Sequence, residues 1–390
     1  MNGAVLRVVH VLASLSASHG GPTRALLGLA QAQRAQGLDV RIVTGRDADM
    51  LWPEDADVPV RAQRRLPLPF ELPGAALLGE LARSIRAADV VHVHGLWNGC
   101  SSAALWLARR HRRIIVLSPH GHLDSVGLRR RARFKRAYRA LIEDANLAGV
   151  DGFHFLDEAE RAASRWHPAV AARPAVVVSN GVDVAGIHRQ LSVADGMPVA
   201  DEPGAVRLAY LGRLHPIKGL DLQLEVLADL RAAGQRAWLH LIGPDHGEAA
   251  RLRERARTLG IAAHVRFHGA MHGAQRLAWL RDADAVLLTS FTEANSMTAA
   301  ETFAAGGLLV ATEGCALQRA AEAGAVTRVA RERAALGDAL RRLLADAAAS
   351  RAQRAAAVHY ARTRLDWSTL APRLREFYAA LAAARAGNAR

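Results

Sequence analysis

Two stretches roughly 200 residues apart follow the same plan, and that duplication constrains the fold more than any other feature of the chain. Residues 5–12 form an apolar, β-branched run, and the loop over 14–22 carries Gly20 and Gly21. A helical pattern follows over 23–36, Gly37 stops it, and 39–44 reads as a second strand. Residues 206–211 open the second copy as a strand, followed by GRLHPIKG and a helical pattern over 220–233. Another strand at 238–242 ends at Gly243. Strand, glycine loop, helix and strand in that order begin a doubly wound α/β sheet, whose strands are continuously apolar because helices cover both faces. At 390 residues, half of them apolar, the chain can bury two cores. Segment 191–204 contains Asp, Pro and Gly and lacks periodicity, so it is the predicted linker between domains at 1–190 and 205–365.

Open α/β sheets bind ligands at the carboxyl ends of their strands, so the residues just past each strand are the first candidates. Gly20 and Gly21 let the backbone approach a phosphate, and read equally as a plain turn. Strand 90–94, VVHVH, places His92 and His94, which are expected on opposite faces and not as a chelating pair; His92 reads as structural. Strand 114–117 runs into SPHGHLD, where His120 reads as a functional imidazole. His120 and His122 have the spacing of a metal pair, but no carboxylate or cysteine set completes a site, so no metal is expected. Further strands are expected at 152–156, 175–178, 264–267 and 309–312, and the chain from Arg319 reads as helical.

The richest stretch is 287–312, LLTSFTEANSMTAAETFAAGGLLVAT. Glu293 lies in the loop after a short strand and Glu301 about a turn and a half into the following helix, so the acids can line one crevice at different depths. Between them the N–H groups of Asn295, Ser296, Met297 and Thr298 are the unpaired donors of a helix start, a seat for phosphate. Carboxylates suit sugar or ribose hydroxyls, and Arg213 and Lys218 of GRLHPIKG are fixed cations that can neutralise a departing pyrophosphate.

The charge of +14 points to anionic partners. Its densest run is Arg129, Arg130, Arg131, Arg133, Lys135 and Arg136, with Phe134, Tyr138, Leu141 and Ile142 at helical spacing. That pattern suits an anionic membrane face or an acceptor lipid, and equally a solvated helix face. Nucleic acid is not expected, because no aromatic platform accompanies the run. No apolar run reaches the roughly 18 residues of a membrane span. Cys100 and Cys315 make no disulfide framework. A cytoplasmic location is expected, with the inner face of the cytoplasmic membrane as a second place the chain can occupy.

Taken in order, these pieces resemble the family 4 retaining glycosyltransferases of the GT-B fold, and the resemblance runs end to end. It rests on the Gly20-Gly21 loop, SPHGH, Asn180-Gly181-Val182-Asp183, GRLHPIKG, Gly243, Gly269, the Glu293/Glu301 pair and the DWS segment before the last helix. The resemblance implies two Rossmann-like domains facing across a cleft, with 366–390 crossing back to the first. It implies retaining hexosyl transfer from a UDP- or GDP-sugar to a hydroxyl of a glycan or glycolipid acceptor, in bacterial surface polysaccharide or lipid-linked glycan synthesis. No cofactor is implied, and no metal for the chemistry. Arg213 and Lys218 would grip the diphosphate, Glu293 the sugar hydroxyls, Glu301 the ribose, and residues 295–298 the phosphates. His120 would sit by the reacting sugar, Gly20, Gly21 and Gly243 would allow close approach to the donor, and the loop by Arg266 would meet the base. The chain departs from the family's pattern at Ser296 and at Leu309, where glycine and proline are usual. An oxidoreductase would need G-x-G-x-x-G after the first strand, which SASHGGP lacks. A non-catalytic GT-B-like protein, or one binding nucleic acid or membrane, is the alternative.

Overall fold

The computed structural model describes residues 5–16, 21–51, 58–66, 70–124, 132–194, 196, 202, 204–293 and 295–387, and the side chains at 132–134 lie outside that description. The chain forms two compact units, residues 1–180 with 367–390, and residues 181–366. Gly20, Arg129, Arg130 and Arg131 fall outside the described residues, and of Arg133 only the backbone is described.

Unit 1 is built on a seven-stranded sheet in the order β3-β2-β1-β4-β5-β6-β7. Its strands are β1 (Arg7–Ser14), β2 (Asp39–Gly45), β3 (Val60–Gln63), β4 (Val90–His94), β5 (Ile114–Ser118), β6 (Gly152–Phe155) and β7 (Ala175–Val177), and every pairing is parallel. β4 is buried along its whole length, as a strand covered on both faces must be. His92 and His94 correct the expectation of opposite faces. Residues two apart in a strand share a face, and the rings stack with centroids 4.2 Å apart. The helix Trp367–Gly387 belongs to this unit and lies along the helix Gly21–Ala35, where Trp367 leaves no room for a side chain at Gly28.

Unit 2 carries a six-stranded sheet in the order β10-β9-β8-β11-β12-β13. Its strands are β8 (Val206–Leu211), β9 (Ala237–Ile242), β10 (Val265–Gly269), β11 (Ala285–Leu288), β12 (Leu309–Thr312) and β13 (Thr327–Val329), again all parallel. In both sheets the order reverses beside the first strand of the unit, between β1 and β4 and between β8 and β11. Loops leaving neighbouring strands diverge there and open a crevice at the carboxyl edge. The division between units falls at Gly181, ahead of the predicted linker. The helix Val184–Ser192 belongs to unit 2, where His188 donates to the Ala304 carbonyl at 2.8 Å and Val184 N–H donates to Asp366 at 3.2 Å.

Candidate active site

The β8 and β11 loops bring Lys218 and Glu293 together. Lys218 ends a 3₁₀ turn, Pro216–Lys218, that His215 caps by accepting the Ile217 N–H at 3.1 Å. Gly219 follows in the left-handed region at φ 62°, and a Cβ there would meet the Thr289 carbonyl. Thr289 Oγ reaches the Lys218 and Gly219 carbonyls, each at 3.1 Å, and Phe291 N–H donates to the Ile217 carbonyl at 2.9 Å. Glu293 is pinned from behind, its N–H on the Gly314 carbonyl and its carbonyl accepting from Ala316 N–H, each at 2.9 Å. On this frame Lys218 Nζ meets Glu293 Oε2 at 2.8 Å, with both side chains about five-sixths covered. Ser290 Oγ donates to the same oxygen at 2.8 Å. Burial alone would raise the Glu293 carboxyl. Lys218 and the hydroxyls of Ser290 and Ser296 outweigh it and hold the group below the ordinary carboxylate range.

Ser296, the departure from the family's glycine, is the N-cap of the helix Met297–Ala305, its hydroxyl accepting from Ala299 N–H at 3.3 Å. The serine therefore ties the helix start to Glu293. Thr298 anchors that start to the end of β8 through the Leu211 carbonyl at 3.0 Å. Glu301 is buried at 5% exposure and held by both guanidinium nitrogens of Arg276, each bond 2.6 Å long. Arg276 comes from the helix Gly273–Asp282 and was not anticipated. Arg213 is half-buried just past β8, and no side-chain hydrogen bond or ion pair occupies its guanidinium among the described residues. Gly243 sits at φ 147°, where a Cβ would run into the Gly212 carbonyl, so the β8 and β9 loops touch through bare backbone.

The remaining assignments are placed as follows. Gly21 opens the first helix. Arg266 lies on β10 itself, near its amino end, with the guanidinium stacked 4.6 Å from the Trp238 ring centroid. Asp282 pairs with Arg281, and Asp284 accepts the Arg207 N–H at 2.7 Å. In unit 1, His120 follows β5 at φ 53°, an uncommon backbone conformation for a side chain of its size. His122 accepts from Leu96 N–H at 2.9 Å and Trp97 Nε1 donates to the His122 carbonyl at 2.9 Å, so the β4 and β5 loops brace each other.

Ring nitrogens of His10, His92 and His94 lie within 4.8 Å of one another, the only such grouping among the described residues. Each of those nitrogens is already hydrogen-bonded. Of 51 Lys and Arg residues only Lys135 and Lys218 are lysines, so a compact ammonium at the site stands out against a guanidinium background.

Two parallel Rossmann-like sheets with these loops at the carboxyl edge define a GT-B glycosyltransferase. The first half matches the family model described as Glycosyl transferase 4-like domain, over residues 20–181. The second matches Glycosyl transferases group 1, over residues 201–364. The chain belongs to family 4 of the GT-B glycosyltransferases. It is 27% identical over 382 residues to the phosphatidyl-myo-inositol mannosyltransferase of Mycobacterium leprae, covering 93% of this chain and 94% of that one. It is 28% identical over 331 residues to the D-inositol 3-phosphate glycosyltransferase of Jonesia denitrificans, covering 75% of each. Solved structures with the same fold include sucrose-phosphate synthase of Thermosynechococcus elongatus, at TM-score 0.72 and 18% identity over 97% of this chain and 100% of that one. Another is Anabaena HepE in complex with UDP, at TM-score 0.70 and 18% identity over 96% and 100%.

Proposed function

We propose that the protein transfers a hexosyl group from a UDP- or GDP-sugar to a hydroxyl of a lipid-linked glycan or glycolipid, with retention of anomeric configuration and without a metal. The observation that carries this reading is the Lys218–Glu293 pair at the β8/β11 switch point, with Arg213 on the same β8 loop and without a side-chain hydrogen bond or ion pair among the described residues. Arg213 and Lys218 are the cations for the diphosphate, and the helix start at residues 295–298 supplies N–H donors to it. When a donor takes Lys218 into its phosphate shell, Glu293 is released to accept sugar hydroxyls. Glu301, oriented by the Arg276 fork, is assigned to the ribose. His120 is assigned to the reacting sugar. The acceptor oxygen bonds to the anomeric carbon as the bond from that carbon to the phosphate oxygen breaks, and the acceptor's proton passes to the departing phosphate.

Calorimetry with UDP, GDP and ADP, each with and without magnesium, tests the donor half. One nucleotide should bind saturably without metal, and Arg213→Ala should weaken it about 10-fold or more, the worth of one charge-assisted contact. No saturable binding by any of them would remove the donor site from this reading.

A peripheral position on an anionic membrane is the second element of the proposal. The basic helix Ala132–Tyr138 runs into a π-turn at Arg139–Glu143, and the extra residue splits the expected apolar stripe. Tyr138 turns inward to Ser102, 2.9 Å away, while Leu141 is left 81% exposed and Ile142 39% exposed, and Arg136 in the preceding helix is exposed as well. No helix among the described residues is long and apolar enough to cross a membrane. Arg136→Glu combined with Leu141→Asp should lower sedimentation with phosphatidylglycerol vesicles about 10-fold, since each basic residue near such a surface contributes roughly 1 kcal/mol. Equal sedimentation would leave this helix a solvated face.

A further inference from the structure

The sheet of unit 1 encloses a continuous hydrogen-bonded chain of side chains whose direction is decided at one end. His154 Nε2 lies 2.8 Å from the Val178 carbonyl, and its Nδ1 lies 2.8 Å from Ser118 Oγ. Ser118 Oγ also meets His92 Nε2 at 2.7 Å, and His92 Nδ1 meets the Tyr378 hydroxyl at 2.6 Å. Gln33 joins Tyr378 through Nε2 at 3.2 Å and His10 Nε2 through Oε1 at 2.7 Å. His10 Nδ1 meets His94 Nε2 at 3.0 Å, and His94 Nδ1 meets His120 Nε2 at 3.1 Å.

A backbone carbonyl can only accept, so His154 carries its proton on Nε2 and offers a bare Nδ1. Ser118 must then donate to His154 and accept from His92. The same logic passes to Tyr378, which donates to His92 and accepts from the Gln33 amide nitrogen. That turns the Gln33 oxygen to His10, puts the His10 proton on Nε2, and repeats at His94 and at His120. The deduction requires neutral rings, and burial supplies them. It lowers His10 and His154 to about 4 and His120 to about 3, and takes His92 and His94 well below the ordinary range.

We propose that this chain locks His120 as the Nε2–H tautomer with its proton turned inward, so that Nδ1 is a hydrogen-bond acceptor and the sugar hydroxyl it meets must be a donor. His94, His10, Gln33, Tyr378, His92 and Ser118 are positioning residues, and the Val178 carbonyl sets their direction. The sugar half rests on the assignment of His120 made above; the tautomer half does not. His120 makes no other side-chain hydrogen bond among the described residues and, though mostly covered, keeps some exposure, which leaves its remaining nitrogen available to a ligand. The lock also accounts for a wholly buried tyrosine on the last helix, where a phenylalanine would pack as well but would not donate.

The test is two-bond proton–nitrogen correlation on full-length protein labelled with ¹⁵N-histidine, at pH 6 to 8 and without donor. His10, His92, His94, His120 and His154 should each appear as a single Nε2–H form. In Tyr378→Phe the Gln33 amide is free to turn over. His154 should then stay locked by its carbonyl while His120 shows a populated Nδ1–H form. Should that variant fail to fold, Gln33→Leu severs the chain between Tyr378 and His10 and carries the same expectation. Imidazolium or Nδ1–H at His120 in the native protein would overturn the proposal, as would a wholly Nε2–H His120 in both variants. The sugar half is read separately by His120→Ala, which should lower turnover about 10-fold, the worth of one lost contact of about 1.4 kcal/mol. Unchanged turnover would overturn that half while leaving the spectrum as evidence on the lock.

Discussion

Replacing Lys218 by alanine is expected to lower sugar transfer by about 10²–10³-fold, the range found when one preorganised charge-stabilising donor is removed. It is also expected to destabilise unit 2 in a pH-dependent way. Lys218 and Glu293 are 15% and 16% exposed, so their attraction is little screened, and the alanine variant leaves a covered carboxylate without its cation. Breaking a buried pair from one side costs about 3–5 kcal/mol. In the native protein the Glu293 pKa is depressed, so its contribution to stability is present above the unfolded value and is lost as pH falls through the folded value. Burial is already the largest single influence on this group, and without Lys218 too little remains to outweigh it, so the carboxyl is pushed upward and the variant should lose stability as pH rises towards neutrality. The two proteins should therefore differ most near pH 7, by roughly 6–20 °C in Tm for a unit of this size, and converge below about pH 4. Thermal unfolding from pH 4 to 7.5 reads this directly. A pH-independent difference would mean that Glu293 is not the group responding to the lysine.

What was legible in the sequence follows from the range over which each signal acts. Strands, glycine loops and the Glu293/Glu301 spacing are local, and the repeated opening placed both sheets because it occurs within some 40 residues each time. The short strand Thr327–Val329 was missed because three residues carry no periodicity, and its surroundings are rich in helix-forming Ala and Arg. The boundary was drawn too late because Val184–Ser192 precedes a loop-like segment, whereas what assigns it is packing on the helix Met297–Ala305. The histidine chain could not be read locally at all. Its members come from β1, β4, β5 and β6, from the first helix and from the last, and only the strand order brings them together. One part was within reach: His92 and His94, two apart in a strand, had to share a face. Arg276 belongs to the same class of miss, 25 residues from Glu301 on a different helix.

That unanticipated arginine carries the second large effect. Arg276→Ala is expected to weaken binding of the nucleotide about 10-fold or more, although Arg276 itself is assigned no contact with it. Glu301 is 5% exposed and its carboxylate is gripped in a fork at 2.6 Å on each oxygen, a geometry that fixes the plane of the carboxylate. The fork thereby orients Glu301 for a ribose diol. Deleting the arginine leaves a buried charge uncompensated, at a cost of about 3–5 kcal/mol, and frees the carboxylate to rotate or to protonate. Glu301→Gln attacks the same pair from the other side. Its amide N–H₂ faces the guanidinium donors, so Gln can accept at one oxygen only. Because both changes break a single unit, the double variant should lose much less than the two single losses added, with a coupling of at least about 1 kcal/mol. Calorimetry of the nucleotide on the four proteins of the cycle measures it. Additive losses would separate Arg276 from Glu301. Native affinity in Arg276→Ala would mean that the ribose is held by something other than an oriented Glu301.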